Sequence, residues 1–321
     1  MIIDGKAIAA KRLEELRLKV EGLRIKPKLV AILVGEDPAS VMYVNMKKKR
    51  AEEVGIVSEI VELPSKVSVT KATQLINRLN ADQVVTGILV QLPFPKDSPV
   101  FGHEREILDA IDPVKDVDSL TSVNMGLLAL GQPRYYPATV KAVLVVLEEA
   151  LNMGDLKLNK NHAVVYDLFG KSRTVLGGFR AVVVGRSEIV GKPAVMALIN
   201  LGATVTVGNS RTTDLAEIAR EADILISATG VAHLVKADMV KKGAIVIDVG
   251  IDRQSTGLPD YRTTDKNRVG GGRSTVDRVV GDVDFESVSK VAGAISPVPG
   301  GVGPLTVSSL LENVVLAGRR D

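Results

Sequence analysis

The sequence predicts an α/β fold of two domains, each built on a parallel sheet, the second of Rossmann type. Three observations carry this expectation. The chain has 321 residues, more than a single hydrophobic core usually serves. Short aliphatic runs alternate with helical stretches along most of it, an order that yields parallel strands. Apolar residues make up 45% of the chain with only 3% aromatic and no Trp, so the core is Val, Leu, Ile and Ala, as in central strands covered on both faces.

The elements follow in order. Residues 5–23 carry Ala, Leu and Val at helical spacing among Lys, Arg and Glu. Lys28 to Gly35 (KLVAILVG) reads as a buried strand ending in Gly. Asp37-Pro38 supplies a cap and a first-turn Pro for a helix from about Ser40 to Val54. A strand at Ile56–Leu63, a helix at Thr70–Leu79 and a strand at Gly87–Leu92 (GILVQL) follow, the last stopped by Pro93 and Pro95. Tyr136 to Leu151 is a long aliphatic helix leading out of the first domain, with Asn152 to Asn161 as a polar junction.

The second domain repeats the rhythm: strand Arg180–Gly185, helix Lys192–Leu201, strand Ala203–Val207, helix Asp214–Glu221, then strands Ala222–Ala228 and Ala244–Val249. Arg262 to Ser274 is polar and Gly-rich, a loop or hairpin, and Leu305 to Arg319 is a final helix. The expected division is 1–147 with 299–321 for one domain and 148–298 for the dinucleotide domain.

Bulk properties narrow the function. With 41 basic and 38 acidic residues the net charge is +3, too balanced for a nucleic-acid binder. The chain has no Cys, which removes disulfides and thiolate chemistry. His103, His162 and His233 are scattered and form no metal-spaced cluster. No secretory pattern opens the sequence, and no run approaches the ~18–20 apolar residues of a membrane span, so no membrane role and a cytoplasmic location are expected.

Gly185-Arg186-Ser187-Glu188-Ile189-Val190-Gly191 stands where a strand hands over to a helix. Small residues there let the backbone approach a pyrophosphate, and free N–H groups complement its charge. The middle Gly of the usual G-x-G-x-x-G is Ser187, so the signal is moderate, and a ligand-free β–α turn would read the same. A second candidate, Gly170 to Gly177, follows a shorter apolar run. The Gly185 copy is preferred for its cleaner strand, which leaves 161–179 as an inserted hairpin. After the next strand comes Gly208-Asn209-Ser210-Arg211-Thr212, with no acid before Asp214 for a ribose 2′-hydroxyl. Ser210, Arg211 and Arg186 suit a 2′-phosphate instead, which favours NADP over NAD. Solvated loop arginines are the bland alternative.

The chemistry is expected in the first domain. Tyr43 and Lys47 lie at i and i+4, on one helix face. Lys47 is followed by Lys48, Lys49 and Arg50, and like charges together with burial would lower its pKa toward use as a proton carrier. Spacing alone favours a solvated basic face. Three segments shift that balance. GILVQLP ends a buried strand with a lone amide, Gln91, at its carboxyl end, where ligands bind in such sheets. Lys115-Asp116-Val117-Asp118 places two carboxylates in a loop, either of which could hold the donors of a heterocycle. Ser296 to Pro304 is too constrained and Gly-rich for a mere linker and could shape a pocket wall.

Together these motifs resemble the family of bifunctional methylenetetrahydrofolate dehydrogenase/methenyltetrahydrofolate cyclohydrolases. The resemblance covers nearly the whole chain: Tyr43-x-x-x-Lys47, GILVQLP at 87–93, KDVD at 115–118, VVVGRSEIVGKP at 182–193, NSRT at 209–212, GAIVIDVG at 243–250, GDVD at 281–284 and PVPGGVGP at 297–304. It implies NADP-dependent oxidation of 5,10-methylenetetrahydrofolate, then hydrolysis of the methenyl product to 10-formyltetrahydrofolate. Lys47 would be the general acid/base of the hydrolysis, tuned by Gln91 and positioned by Tyr43, which also packs on the folate. Asp118 would bond the pterin. Leu92, Pro93, Pro299, Gly300 and Gly301 would complete the folate site. Gly185, Arg186, Ser187, Ser210, Arg211, Gly250 and Ile251 would hold the cofactor. Tetrahydrofolate derivatives, including polyglutamylated ones, and a homodimer are the implied partners. Departures from the family pattern are Ser119 for a Gly, Pro137-Ala138-Thr139-Val140 for Pro-Cys-Thr-Pro, Gly208-Asn209 for Cys-His, Ser296-Pro297 for Thr-Pro, and about twenty extra residues before Ala181.

Overall fold

The computed structural model describes residues 1–152, 176–259 and 275–318. Most of the expected junction and inserted hairpin, and all of the Gly-rich stretch 262–274, lie outside the described residues.

A first helix, α1 (Gly5–Glu21), is capped by the Asp4 carboxylate, which accepts from the N–H groups of Lys6 and Ala7. Then come β1 (Lys28–Val34), α2 (Pro38–Glu53), β2 (Val57–Leu63), α3 (Val69–Ala81) and β3 (Gly87–Val90). The three strands form one parallel sheet in the order β2-β1-β3. Strand β1 is central, and alternate residues serve two cores. Leu29, Ala31 and Leu33 pack with α1 and α2; Val30, Ile32 and Val34 pack with residues of α3 and of a short α4 (Glu104–Asp109). Burying each such Val, Leu or Ile side chain contributes about 1.5–3 kcal/mol, which is why this strand was legible as an unbroken apolar run.

Helices α5 (Ser122–Ala129) and α6 (Ala138–Asn152) lead to the second sheet. Its elements are β4 (Arg180–Val184), α7 (Gly191–Asn200), β5 (Thr204–Gly208), α8 (Leu215–Arg220), β6 (Ile224–Ser227), β7 (Ile245–Asp248), an antiparallel hairpin of β8 (Asp252–Pro259) and β9 (Thr275–Val280), α9 (Phe285–Val288) and β10 (Ala294–Ile295). The strands run parallel in the order β10-β7-β6-β4-β5. The chain leaves β4 first to one side and then to the other, so the carboxyl end of β4 is a topological switch point.

The last helix, α10 (Val302–Ala317), returns to the first half. Val307, Leu310, Leu311, Val314 and Val315 join the cluster under Leu29, Ala31 and Leu33. At the other end of the chain, the Ile3 N–H donates to the Ile295 carbonyl at 2.9 Å, so the amino-terminal residues lie beside β10 of the second sheet. Gly5 sits directly against the Gly301 carbonyl, where any Cβ would clash.

Three expectations are corrected. The strand expected over GILVQL stops at Val90: the Gln91 N–H still bonds Ile32 at 2.9 Å, but the next peptide, Leu92–Pro93, is cis and turns the chain away. The last helix starts at Val302 rather than Leu305, because Pro304 falls in the first turn, where no N–H is needed. Helices α4, α5 and α9 were not expected. They span only six, eight and four residues, too few for a periodic signal.

No helix among the described residues is long and apolar enough to cross a membrane.

Candidate active site

The carboxyl ends of β1 and β3 open beside α2. Asp37 caps α2 by accepting from the Ser40 N–H at 2.8 Å, and Pro38 occupies its first turn. The helix so placed carries Tyr43 and Lys47 on one face, toward the strand ends. The Lys47 ammonium donates to Gln91 Oε1 at 2.8 Å. Gln91 cannot flip without loss, since its Nε2 donates to the Leu92 carbonyl at 2.6 Å. The amide oxygen is therefore held toward Lys47.

The KDVD loop is stapled to β3 by the Ile88 N–H, which donates to the Lys115 carbonyl at 2.8 Å. Lys115 is buried and donates to the carbonyls of Leu79, Asn80 and Asp82 at 2.6–3.0 Å, closing the end of α3. Asp116 is buried too, accepting from the N–H groups of Leu120 and Thr121 and from Asn124 Nδ2. Only Asp118 is left to face the cavity. The two carboxylates that looked alike in sequence thus have different tasks, one structural and one available.

Lys47, Gln91, Leu92 and Asp118 line a single open cavity of about 170 Å³ with Val90, Leu120, Ala138, Thr139, Ile189, Val190, Thr306 and Leu310. Burial lowers the Lys47 pKa, against the attraction of Asp118. Burial raises that of Asp118; Asp116 adds to this, while Lys47 and the Ala138 N–H at the start of α6 oppose it. Both shifts move the groups toward neutrality, so a proton can pass to or from either more easily than in water. Ser119, which follows, holds φ 58°, the left-handed region. Its Oγ donates to the Tyr135 carbonyl at 2.8 Å, which anchors a conformation that glycine would adopt without strain.

Other expected site residues stand apart from this lining. Tyr43 is half-buried one turn before Lys47. Pro93 follows Leu92 outside the lining. Pro299 is exposed, and Gly300 accepts the Lys6 N–H at 3.1 Å, so Pro299 to Gly301 brace the start of α1. Sequence reading missed Thr306 and Leu310 of α10 and the Ala138 N–H, which reach the cavity only through tertiary packing.

The dinucleotide turn is built as its glycines require. Gly185, at φ 121°, abuts the Ala228 carbonyl, and Gly191 abuts the Gly185 carbonyl; neither place tolerates a Cβ. Ser187 Oγ accepts from the N–H groups of Val190 and Gly191, both at 3.2 Å, at the start of α7, which leaves its O–H to donate. After β5, Asn209 makes a tight turn, its Oδ1 accepting from the Arg211 N–H at 3.0 Å. Arg186, Ser210 and Arg211 are exposed beside one another's strand ends, with no acid among them. This donor set, a glycine turn at a switch point flanked by two arginines, fits a dinucleotide bearing a 2′-phosphate. Gly250 donates its N–H to Asp248 Oδ1 at 2.9 Å, and Ile251 is exposed beside it. Ile189 and Val190 of the turn lie in the same cavity as Lys47.

Comparison with known proteins agrees with this geometry. The model of the tetrahydrofolate dehydrogenase/cyclohydrolase catalytic domain matches residues 3–118, and that of the corresponding NAD(P)-binding domain matches residues 161–321. The bifunctional protein FolD of Moorella thermoacetica is 45% identical over 99% of both chains. The crystal structure of the bifunctional methylenetetrahydrofolate dehydrogenase/cyclohydrolase FolD from Campylobacter jejuni superposes with a TM-score of 0.82 at 40% identity, covering 100% of this chain and 99% of that one. The Trypanosoma brucei enzyme, solved with NADP and an inhibitor, gives 0.81 at 35% identity, covering 99% and 96%. With two domain models accounting for most of its length and relatives matching end to end, the chain belongs to the tetrahydrofolate dehydrogenase/cyclohydrolase family.

Proposed function

We propose that this cavity carries out two successive reactions on one folate. The chain is a bifunctional enzyme that oxidises 5,10-methylenetetrahydrofolate with NADP and hydrolyses the methenyl product to 10-formyltetrahydrofolate. The observation that carries the reading is the shared cavity: residues of the dinucleotide turn, Ile189 and Val190, line it together with Lys47, Gln91 and Asp118. The functional division we propose is 1–147 with 299–321 for folate chemistry and 148–298 for the cofactor.

NADP, when bound, supplies the hydride acceptor. Gly185 and Arg186 would sit under its pyrophosphate, with Ser187 shaping the turn; Ser210 and Arg211 would meet the 2′-phosphate, and Gly250 and Ile251 the far side. The protein's own part in the oxidation is alignment, because the folate nitrogens beside the reacting carbon stabilise the cation that results. Tyr43, Leu92, Pro93 and Asp118 would hold the folate, with Pro299 to Gly301 bracing the wall behind.

The hydrolysis needs proton transfer. Water adds to the methenyl carbon and loses a proton. The ring then opens as its nitrogen gains one and the new hydroxyl gives one up to solvent. Neutral Lys47 takes the first proton and returns it to the nitrogen, so a single proton is released overall. Gln91 fixes the lone pair by accepting from one Lys47 hydrogen. One assay with two readouts tests both halves: methylenetetrahydrofolate with NADP or NAD, following reduced cofactor and methenyl-folate decay separately. No reduction of either cofactor would sink the dehydrogenase.

Arg211→Ala is expected to raise KM for NADP about tenfold or more, as for loss of a hydrogen bond to a charged group, and to leave NAD little changed. Equal effects on the two cofactors count against a 2′-phosphate site.

Two partner features extend the reading. A second cavity of about 420 Å³ at the carboxyl end of β2 is lined by Lys66 and, along α3, by Lys71 and Arg78. It suits the carboxylates of a polyglutamyl tail, and a KM for a triglutamyl substrate no lower than for the monoglutamate would refute this. Strand β5 is the free edge of its sheet among the described residues, with Val207 exposed, which suits pairing with a second copy in a homodimer. Sedimentation at the mass of one 34.1 kDa chain would exclude the dimer. A cytoplasmic location completes the proposal and is checked by cell fractionation.

A further inference from the structure

Two carboxylates buried at the carboxyl ends of β6 and β7 have no part in the chemistry above. Asp248 ends β7 and is buried. Its Oδ1 accepts from the N–H groups of Gly250 at 2.9 Å and Asp282 at 3.0 Å, and its Oδ2 from that of Val283 at 2.9 Å. Asp282 is fully buried. Its Oδ2 accepts from Ser227 Oγ at 2.8 Å, the Thr229 N–H at 2.6 Å and Thr229 Oγ1 at 2.9 Å. Its Oδ1 is buried with no partner.

The backbone is shaped around the pair. A Cβ on Gly250 would clash with Asp282 Oδ1, and one on Gly281 would clash with Asp248 Oδ2. The orphaned oxygen of Asp282 therefore lies against Gly250, whose N–H is bound to Asp248 Oδ1. Between them the two carboxylates fix three segments: 227–229 after β6, 248–250 after β7, and 281–283. These segments flank the carboxyl end of β4 on the side away from β5. If the 2′-phosphate end of the cofactor lies by Arg211 after β5, a dinucleotide draped over Gly185 brings its other end over these loops.

We propose that Asp248 and Asp282 are positioning residues for the nicotinamide half of the cofactor, with Asp248 in its acid form when they do so. The inference rests on the dinucleotide reading above. Two ionised carboxylates packed together without a cation repel each other in a poorly solvated place. One proton on Asp248 removes the repulsion. Burial, with repulsion from Asp282 adding to it, pushes Asp248 up to about 7 against the pull of its three N–H donors. The other groups around the pair are neutral hydroxyls: Ser227 and Thr229 from the end of β6, and Ser296 after β10, whose Oγ accepts the Asp248 N–H at 2.9 Å. The exposed His233 touches this region only through its backbone, donating to the Gly281 carbonyl at 3.2 Å. Asp282 is the ionisable group that acts on Asp248 through its charge.

Because the folded-state value lies above that of an unfolded Asp, the pair is intact at low pH and is lost as pH rises through about 7. The test is direct binding of NADP to the whole enzyme between about pH 7 and pH 9, above the ionisation of the 2′-phosphate. Wild type should weaken by about tenfold over this range. Asp248→Asn removes the titrating group but turns an amide NH2 toward backbone N–H donors that the carboxylate accepts, so it should bind NADP more weakly than wild type at pH 7 and stay flat to pH 9. Cyclohydrolase activity, which needs no cofactor turnover, should be unchanged in the variant; a merely structural role would lower both activities together. Infrared titration of the wild type should show a protonated-carboxyl band disappearing near neutrality, a readout that survives even if Asp248→Asn fails to fold. Affinity that is flat with pH in wild type, or no such band, overturns the pair alone. No NADP binding at any pH overturns the cofactor reading and the pair with it.

Discussion

Lys47→Ala removes the hydrolysis of methenyl-folate and leaves hydride transfer within about tenfold of wild type. Positioned acid–base catalysis contributes roughly 10²–10⁴-fold, so a loss near the middle of that range, about 10³, is expected in the decay of methenyl-folate. No other amine lines the cavity: Gln91 does not titrate, and Asp118 is the group proposed to hold the pterin. Lys47→Arg should fail equally, since a guanidinium does not give up its proton. The pH dependence follows from direction. Burial lowers the Lys47 pKa, so the neutral base accumulates at a lower pH than for an exposed lysine. The hydrolytic rate of wild type should rise with pH and level off early, and this limb should vanish in Lys47→Ala. Unchanged methenyl-folate decay in the variant refutes the role.

The second large effect concerns stability. Glu312 of α10 is buried and receives Arg12 of α1 through both Nε and Nη2 at 2.9 Å, while Lys141 of α6 approaches it at 2.9 Å. One carboxylate therefore ties three helices. Burial would raise its pKa, but Lys141 and Arg12 together outweigh burial and lower it. Lys141 is lowered too: burial dominates there, and Arg12 and Lys19 repel it. One negative charge shared by two cations cannot satisfy both, which reconciles the two shifts. Glu312→Leu would leave both cations without their counter-charge and should cost about 3–5 kcal/mol, read as a fall in denaturant midpoint. Adding Arg12→Met and Lys141→Met to it should restore most of the loss. Since the folded-state Glu312 value lies below the unfolded one, its contribution is present above the ordinary glutamate range and lost as pH falls through the lowered value. A loss below about 1 kcal/mol in Glu312→Leu would mean the cluster carries little of the packing.

What could be read beforehand follows physical lines. Strands β1 and β4 were legible because burial on both faces leaves only aliphatics. Gln91 was legible as a lone amide at the end of a buried strand, whereas Lys47, on a helix face whose spacing alone reads as solvated, stood out only together with the other segments. By residue pattern alone Asp116 and Asp118 were not separable, and only the family resemblance singled out Asp118; what distinguishes them physically is a set of backbone donors from 120–121 and the side chain of Asn124. Thr306 and Leu310 carry no local mark, since their place in the cavity depends on a helix that arrives far later in the chain.

That late arrival has a consequence for synthesis. The apolar face of the first sheet, under Leu29, Ala31 and Leu33, is closed by α10, which leaves the ribosome only after every strand of the second sheet. The amino-terminal residues likewise wait for Ile295. The half of the molecule that is translated first is therefore completed last, and its nascent form exposes a greasy surface for most of elongation. A chain ending before Val302 should bind a hydrophobic dye strongly, as chaperone clients do, where the full chain does not.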